Sequence, residues 1–364
     1  MIVVAAPELI EISEWSKKGY HYLKEERIHN AIELFNKILM VDRSNNYALV
    51  GLGDASRKRG DFYDAVSYYQ RCLAMHPGNN YALFGLADSY KSLRQYHKAI
   101  EIWEQYLRHD EQNITVLTRI ADAYRKVRDF KHSKAVYLKV LAIEEKNPYA
   151  IIGLGHLHYD FKEYRDALLY WGKMLEFHQD SVDIRVLTSI GNCHRKLKTF
   201  TEGIIYFEKA LQREPYNFYS LFGMADCYRG LNQQQHSLEY WNRILEQDPR
   251  NKVILTRVGD AYRHMGEYDR AIMYYERALN VEFDTYALLG LAVVAKIQGR
   301  YAEGIAFLRQ LIQQDARNHR FYLELAECLV KQGEKSQAIE VLENFLRFGL
   351  KNNAVSEHLE QLLS

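Results

Sequence analysis

A nine-residue string that opens on a small residue and carries an aromatic residue or leucine four places on recurs ten times. It reads AIELFNKIL at Ala31, AVSYYQRCL at Ala65, AIEIWEQYL at Ala99, SKAVYLKVL at Ser133 and ALLYWGKML at Ala167. It continues as GIIYFEKAL at Gly203, SLEYWNRIL at Ser237, AIMYYERAL at Ala271, GIAFLRQLI at Gly304 and AIEVLENFL at Ala338. The apolar spacing in each copy is that of an amphipathic helix. Successive starts lie 34, 34, 34, 34, 36, 34, 34, 33 and 34 residues apart, so ten units occupy almost the whole chain. A period of this length is the mark of a repeat architecture.

Twelve residues before each start stands a second small residue: Gly19, Gly53, Ala87, Ala121, Gly155, Gly191, Ala225, Gly259, Ala292 or Ala326. A Gly or Ala facing a small residue on a neighbouring helix allows close approach, where a larger side chain would cost about 1 to 3 kcal/mol of overpacking. Each unit therefore predicts two antiparallel helices joined by a short turn, as in RGDF or MGEYDRA. Breaks such as HPGNN, REPYN and DPRN separate the units. The Gly-Leu-Gly of NNYALVGLGD at 45–54 superficially suggests a phosphate-cradling loop. Such a loop needs strand, loop and helix in order. Gly53 instead belongs to the small-residue column, and Gly51 recurs as Gly85, Gly153, Gly223 and Gly290.

These columns resemble the tetratricopeptide repeat, a 34-residue pattern of W-x2-L-G-x2-Y, A-x3-F and P. In the eighth unit the pattern stands as Leu255, Val258-Gly259, Tyr262, Ala271 and Tyr275, with Phe283 in place of the proline. Pro77, Pro215 and Pro249 fill that place in the second, sixth and seventh units. The resemblance implies an all-α fold, an α-solenoid wound as a right-handed superhelix of about ten helix pairs. The expected units are 12–45, 46–79, 80–113, 114–147, 148–183, 184–217, 218–251, 252–284, 285–318 and 319–347, after a lead-in at 1–11. The tail 348–364 has apolar residues at Ala354, Val355, Leu359, Leu362 and Leu363 and reads as a capping helix. One unit alone cannot stay folded: ordering its backbone costs about 1 to 2 kcal/mol per residue, against about 1.5 to 3 for each buried Leu or Ile. Stability must be shared between stacked neighbours.

Function is then sought on the surface that stacking leaves open. With the small residue of the first helix as zero, offsets −6, −3, −2, +1, +4 and +5 share one arc. The resemblance implies that this arc lines a concave groove. It carries Tyr at −6 (Tyr47, Tyr81, Tyr149, Tyr219, Tyr286), Asp at +1 (Asp54, Asp88, Asp122, Asp226, Asp260) and a base at +4 (Arg57, Lys91, Arg125, Arg195, Arg229, Arg263, Lys296). Asp and Arg three apart pair along a helix. Further bases, Arg119, Lys126, Arg185, Lys196 and Arg257, have no obvious partner on their own helix. Across ten units the arc holds seventeen bases and eight acids, a surplus of nine in a chain whose formal net charge is +1. A basic face hidden in a neutral total attracts acidic ligands. An Asp–Arg ladder also reads as bracing between units.

Alternate units differ. The fourth, sixth and eighth read VLTRIADAYRK, VLTSIGNCHRK and ILTRVGDAYRH, while the fifth, seventh and ninth carry Tyr and Gly. Either a long ligand is read at every second unit, with Gly at −2 leaving room for it, or a two-unit block was duplicated.

The remaining chemistry is sparse. Cys72, Cys193, Cys227 and Cys328 lie far apart without CxxC spacing and read as buried thiols. His156 and His158 point to different faces, and His194 shares the packing column, so no metal site is expected. The second-helix aromatics, including Tyr68, Trp103, Trp171 and Trp241, read as helix packing. No cofactor is expected, and no HExxH, nucleophile elbow or glycine-lysine motif occurs. No stretch has the length of a membrane span. The opening MIVVAAPELIE lacks a basic segment, so the chain reads as cytoplasmic unless a leader has been trimmed. Family members that clamp chaperone C-termini use Lys and Asn where the first unit has Ser16 and Tyr20, beside Lys17. The asparagine ladder of sugar-transferring members falls at −2, where this chain has Gly, Arg, Lys, Ser or Glu.

The reading is a non-enzymatic scaffold whose basic, tyrosine-lined groove takes an extended acidic peptide or partner segment. The alternatives are single-stranded RNA on the same face, or a structural subunit that docks a larger complex through its outer face.

Overall fold

Ten Asn or Asp side chains, one at every inter-unit break, each start a helix. Asn45, Asn79, Asn113, Asn147, Asp183, Asn217, Asn251, Asp284, Asn318 and Asn352 are N-caps whose side-chain oxygens accept from a backbone N–H in the first turn. A cap of this type is worth about 1 kcal/mol. Several of these amides also donate to the carboxylate three residues earlier, as Asn45 does to Asp42 and Asn147 to Glu144. The turn inside each unit is made differently, by one residue with left-handed φ. Gly60, Gly266, Gly299 and Gly333 take this place in four units; Glu26, Arg94, Arg128, Lys162, Lys198 and Asn232 take it in the others.

The computed structural model describes residues 7–177, 182–349 and 352–364, and among them every regular element is a helix. Two compact units, Met1–Val182 and Asp183–Ser364, are distinguished. They divide at the one 36-residue interval of the repeat. In the first unit the pairs are α1 (Pro7–Lys24) with α2 (Ile28–Val41), α3 (Asn46–Arg59) with α4 (Phe62–Met75) and α5 (Asn80–Ser92) with α6 (Tyr96–Leu107). They continue with α7 (Ile114–Lys126) against α8 (Phe130–Ile143) and α9 (Pro148–Asp160) against α10 (Tyr164–Phe177). The second unit pairs α11 (Ile184–Leu197) with α12 (Phe200–Arg213), α13 (Phe218–Gly230) with α14 (Gln234–Gln247) and α15 (Lys252–His264) with α16 (Tyr268–Val281). Then come α17 (Thr285–Ile297) with α18 (Tyr301–Gln314), α19 (His319–Gln332) with α20 (Lys335–Arg347), and α21 (Asn353–Leu363). Helix α1 begins within the stretch expected as a lead-in, whose first six residues lie outside the described ones. On α21 the face turned to the core is Val355, Leu359 and Leu362, while Ala354 and Leu363 are exposed.

The core is built on the residue four places after the small residue of each second helix. Phe35, Tyr69, Trp103, Tyr137, Trp171, Phe207, Trp241, Tyr275, Leu308 and Leu342 are all at most 1% exposed. The member of this column in the second repeat is Tyr69; Tyr68, which the sequence pattern suggested, is only half-buried at the neighbouring register. Small residues at the start of second helices let the pair close. Ser133 and Ser237 donate to the carbonyls of Ala121 and Ala225, while a β-carbon on Gly203 would come within 3.2 Å of the Gly191 carbonyl oxygen.

The rings also explain the alternation between units. A β-carbon on Gly51 would stand 2.4 Å from the Phe35 ring; on Gly85, Gly153, Gly223 and Gly290 it would stand 2.2 to 2.4 Å from Tyr69, Tyr137, Phe207 and Tyr275. Wherever a second helix carries Phe or Tyr, the next unit has Gly at −2. Wherever it carries Trp (Trp103, Trp171, Trp241), the next unit has Arg119, Ser189 or Arg257. Gly at −2 is therefore room for a ring from the preceding repeat, not room for a ligand.

Two glycines test this. Gly85→Ala should lower stability by about 1 to 3 kcal/mol, because its methyl group enters the space of Tyr69. Gly172→Ala, on an exposed helical position with nothing within 4 Å of the new carbon, should raise stability by about 0.5 to 1 kcal/mol. Chemical denaturation of the two variants checks the pair.

Candidate functional site

The tyrosines at −6 stand at the N-terminal ends of first helices and face solvent: Tyr47, Tyr81 and Tyr149 in the first unit and Tyr219 and Tyr286 in the second are 61 to 80% exposed. At +5, eleven positions further along the first helix, lie Lys24, Lys58 and Lys126 in the first unit and Lys196 in the second, all exposed; only Lys58 shares its helix with one of these tyrosines, Tyr47. Eleven residues amount to about three helical turns, so both rows share a face and lie about 16 Å apart along the helix axis.

Between these rows runs the Asp–Arg ladder. Pairing along one helix is present: Asp54 lies 3.6 Å from Arg57, Asp122 3.6 Å from Arg125, Asp226 2.8 Å from Arg229 and Asp260 3.3 Å from Arg263. The shorter bonds mostly cross to neighbouring repeats. Asp88 accepts from Arg57 at 3.1 Å and from Arg119 at 2.5 Å. Arg125 reaches Asp160 at 2.6 Å and Arg195 reaches Asp226 at 2.5 Å. Lys296 bridges Glu324 and Glu327 at 2.5 and 2.6 Å. Arg119 and Arg185 thus have partners that spacing along one helix did not reveal, the second being Asp183, the cap of its own helix, at 2.5 Å. The buried phenols join the ladder: Tyr69 donates to Asp54 at 2.6 Å, Tyr137 to Asp122 at 2.6 Å and Tyr275 to Asp260 at 2.8 Å. Burial, then the adjoining carboxylate, pushes these three phenols well above their ordinary range.

All eight carboxylates of the arc are engaged in these pairs. Lys91 and Lys126 in the first unit and Lys196 and Arg257 in the second have no carboxylate partner among the described residues; the three lysines are exposed and Arg257 is half-buried. Charge in the second unit is felt by His264, whose imidazole is held below its usual range by burial and by Arg263 and Arg229.

In the first unit the face is hollowed by two adjoining pockets that sequence reasoning missed. One, of about 500 Å³, is lined by Lys24, Arg57, Lys58, Lys91 and Arg119 with Asp54 and Asp88. The other, of about 830 Å³, is walled by Tyr20, Tyr47, Val50 and Tyr81. Tyr20 and Asp54 belong to both. The available signal was Tyr20, which stands at +1 where most later units have Asp; its hydroxyl donates to the Tyr47 carbonyl at 2.9 Å.

His158 and His194 pack against second-helix tyrosines. His158 is buried, stacks on Tyr170 and bonds through Nδ1 to Glu163 at 2.6 Å. Glu163 and Asp166 bring three possible metal ligands together there, but the ring nitrogen on that side is already satisfied. His194 stacks on Tyr206 and bonds to Thr199. The four cysteines are buried and unpaired. Among the described residues no helix is long and apolar enough to cross a membrane.

Family models for the tetratricopeptide repeat match residues 16–80 and 259–319, 56–121 and 295–354, and 114–147 and 184–217, together more than half of the chain. No curated protein sequence matches it. Similar solved structures include Pseudomonas aeruginosa pilF, at 16% identity and TM-score 0.48 over 59% of this chain and 97% of that one. Yeast Tom70 is similar at 13% identity and TM-score 0.46, over 97% and 94%. YrrB, described as a TPR protein with an unusual peptide-binding site, is similar at 16% identity and TM-score 0.45, over 51% and 95%.

The ladder has a pH signature at Asp226. Burial alone would raise this carboxyl, but Arg229 and Arg195 outweigh it and hold it below its ordinary value of 3.8. A depressed carboxyl contributes stability that is present above the unfolded value and lost as pH falls through the folded one. Asp226→Asn should therefore lower stability by about 1.5 to 3 kcal/mol at pH 7. The gap from the wild type should hold down to about pH 5 and narrow below about pH 4. Denaturation at several pH values measures it; a gap that widens in acid would contradict the assignment.

Proposed function

The chain belongs to the tetratricopeptide repeat family, and we propose that it is a non-catalytic scaffold holding an extended, acidic stretch of a partner protein against the first-helix face. The observation that carries this is the charge left after internal pairing. Every carboxylate of the face is engaged, yet Lys24, Lys91, Lys126, Lys196 and Arg257 have no carboxylate partner among the described residues. Bracing between repeats accounts for the paired arginines and leaves these cations to attract a ligand.

The exposed tyrosines supply the second element. Each offers a large, rigid, amphipathic surface at small entropic cost, which suits side-chain and backbone contacts with a polypeptide. Neighbouring helices pack about 8 to 10 Å apart, and an extended chain advances about 3.3 Å per residue, so the ligand meets a new station roughly every third residue. Width favours protein over RNA. In a nucleotide the charge and the stacking base are joined through one sugar, whereas the lysine and tyrosine rows are about 16 Å apart.

The test uses charge reversal at cations that brace nothing. Arg119 is unsuitable, because Glu there would face Asp88. Lys126→Glu, Lys196→Glu and Arg257→Glu together should leave the melting temperature near that of the wild type. They should weaken binding of labelled Glu/Asp-rich 20-residue peptides at least tenfold by fluorescence anisotropy. Peptide affinity unchanged by the substitutions would move the partner to another face. Tighter binding of oligouridine than of peptide, falling steeply with salt, would replace the reading with RNA.

A further inference from the structure

The two pockets of the first unit differ in chemistry and share a wall. In the basic one, Asp88 is held by Arg57 and Arg119, and Asp54 by Tyr69 and Arg57. The carboxylates and guanidinium groups there are already occupied with each other. What faces the cavity unspent is ammonium: Lys24 and Lys91 have no partner among the described residues, and Lys58 donates one bond to the Leu23 carbonyl at 2.8 Å. Five cations against two carboxylates leave a surplus of three charges around about 500 Å³. The adjoining pocket is larger; three tyrosines and Val50 give it apolar surface, and Lys17, Asp54, Asn46, Asn79 and Asn80 form its polar rim.

We propose that this pocket pair reads a two-part signal in the partner: a bulky apolar side chain seated among Tyr20, Tyr47 and Tyr81, and Asp or Glu side chains seated among Lys24, Lys58 and Lys91. The inference rests on the scaffold reading above and places the anchor of the acidic segment in the first unit. Spacing follows from the helices. The apolar pocket lies around offsets −6 to +1 of α3 and α5, the basic one around +1 to +5. Their centres are therefore about six helical residues, or about 9 Å, apart along the axis. About three residues of extended chain cover that distance, so the acidic residues stand two to four places from the apolar one. At this anchor the stretch turns along the helix axes, from one pocket into the other, while the rest of the segment crosses successive first helices. Carboxylate is the matching group: the free donors are separate lysine point charges, without the planar guanidinium fork that favours bidentate phosphate recognition.

The experiment measures binding of the full chain to 12-residue peptides carrying one Leu or Phe and two Glu at spacings of two to four, in both orders. Control peptides replace Leu with Ser, or Glu with Gln, Lys or phosphoserine. The expected result is binding only when both elements are present. Lys24→Glu with Lys91→Glu should weaken it at least tenfold and restore binding to the Lys-for-Glu peptide, and Tyr81→Ala should remove the preference for Leu over Ser. Equal affinity for the Leu and Ser peptides overturns the proposal, and so does binding of phosphoserine peptides alone. If acidic peptides respond to Lys126, Lys196 and Arg257 but not to Lys24, Lys91 and Tyr81, the pocket assignment falls and the scaffold reading stands. If no acidic peptide binds, both fall.

Discussion

A ring wedged between two glycine-bearing helices is the contact on which the rest of this structure depends. Phe35 fills the space above Gly19 in its own repeat and Gly51 in the next; Tyr69 does the same with Gly53 and Gly85, Phe207 with Gly191 and Gly223, and Tyr275 with Gly259 and Gly290. One side chain thus joins the helices of a pair and the pair to its successor. Each buried ring contributes about 1.5 to 3 kcal/mol, and its position on the inter-repeat seam makes that contribution available only when the neighbour is folded. The same contact orients the polar face. The hydroxyl of each wedging tyrosine emerges beside the +1 aspartate and takes part of its hydrogen-bonding capacity.

The surface chemistry is consequently divided. Aspartates and most arginines belong to the scaffold: they are half-buried, tied across repeats, and close to neutral as a group. Lys24, Lys91, Lys126 and Lys196 stand outside that ion-pair ladder, as do the exposed tyrosines at the N-terminal ends of the first helices. A long flexible lysine that braces nothing keeps its conformational freedom, and an exposed tyrosine leaves an apolar surface in water. Both are unfavourable choices for stability alone. Their repetition on one face is the feature on which the proposed interaction surface rests.

Much of the fold was legible in the sequence because the repeat writes each requirement many times. The two small-residue columns, the wedging residue and the Asn or Asp caps recur in register, so noise at one repeat is corrected by the others. The division into Met1–Val182 and Asp183–Ser364 was present only as one interval of 36 residues. The site was legible as a face but not as a set of partners. Helical offsets place Arg119 and Asp88 on one arc, yet whether they touch depends on the rotation between repeats, which no spacing along one helix contains. The same limit hid the role of Gly85: one of two open readings made its missing side chain space for a ligand, whereas Tyr69 occupies that space. The pockets were hidden for a related reason. Both draw on α1, α3 and α5, the basic one also on α7 through Arg119, with Tyr20 an exception at its own column.

The buried thiols give the molecule four internal clocks. Burial raises the thiol of Cys193 to about 12, that of Cys227 to about 12 and that of Cys328 to about 11, and Cys72 is shifted the same way. Since the thiolate is the reactive form, none of them reacts at neutral pH while its repeat stays closed. Cys72 sits on α4, Cys193 on α11, Cys227 on α13 and Cys328 on α19. Each therefore reports the breathing of a different stretch of the chain. A modifying reagent reads out, without any engineered label, where opening begins and how far it propagates.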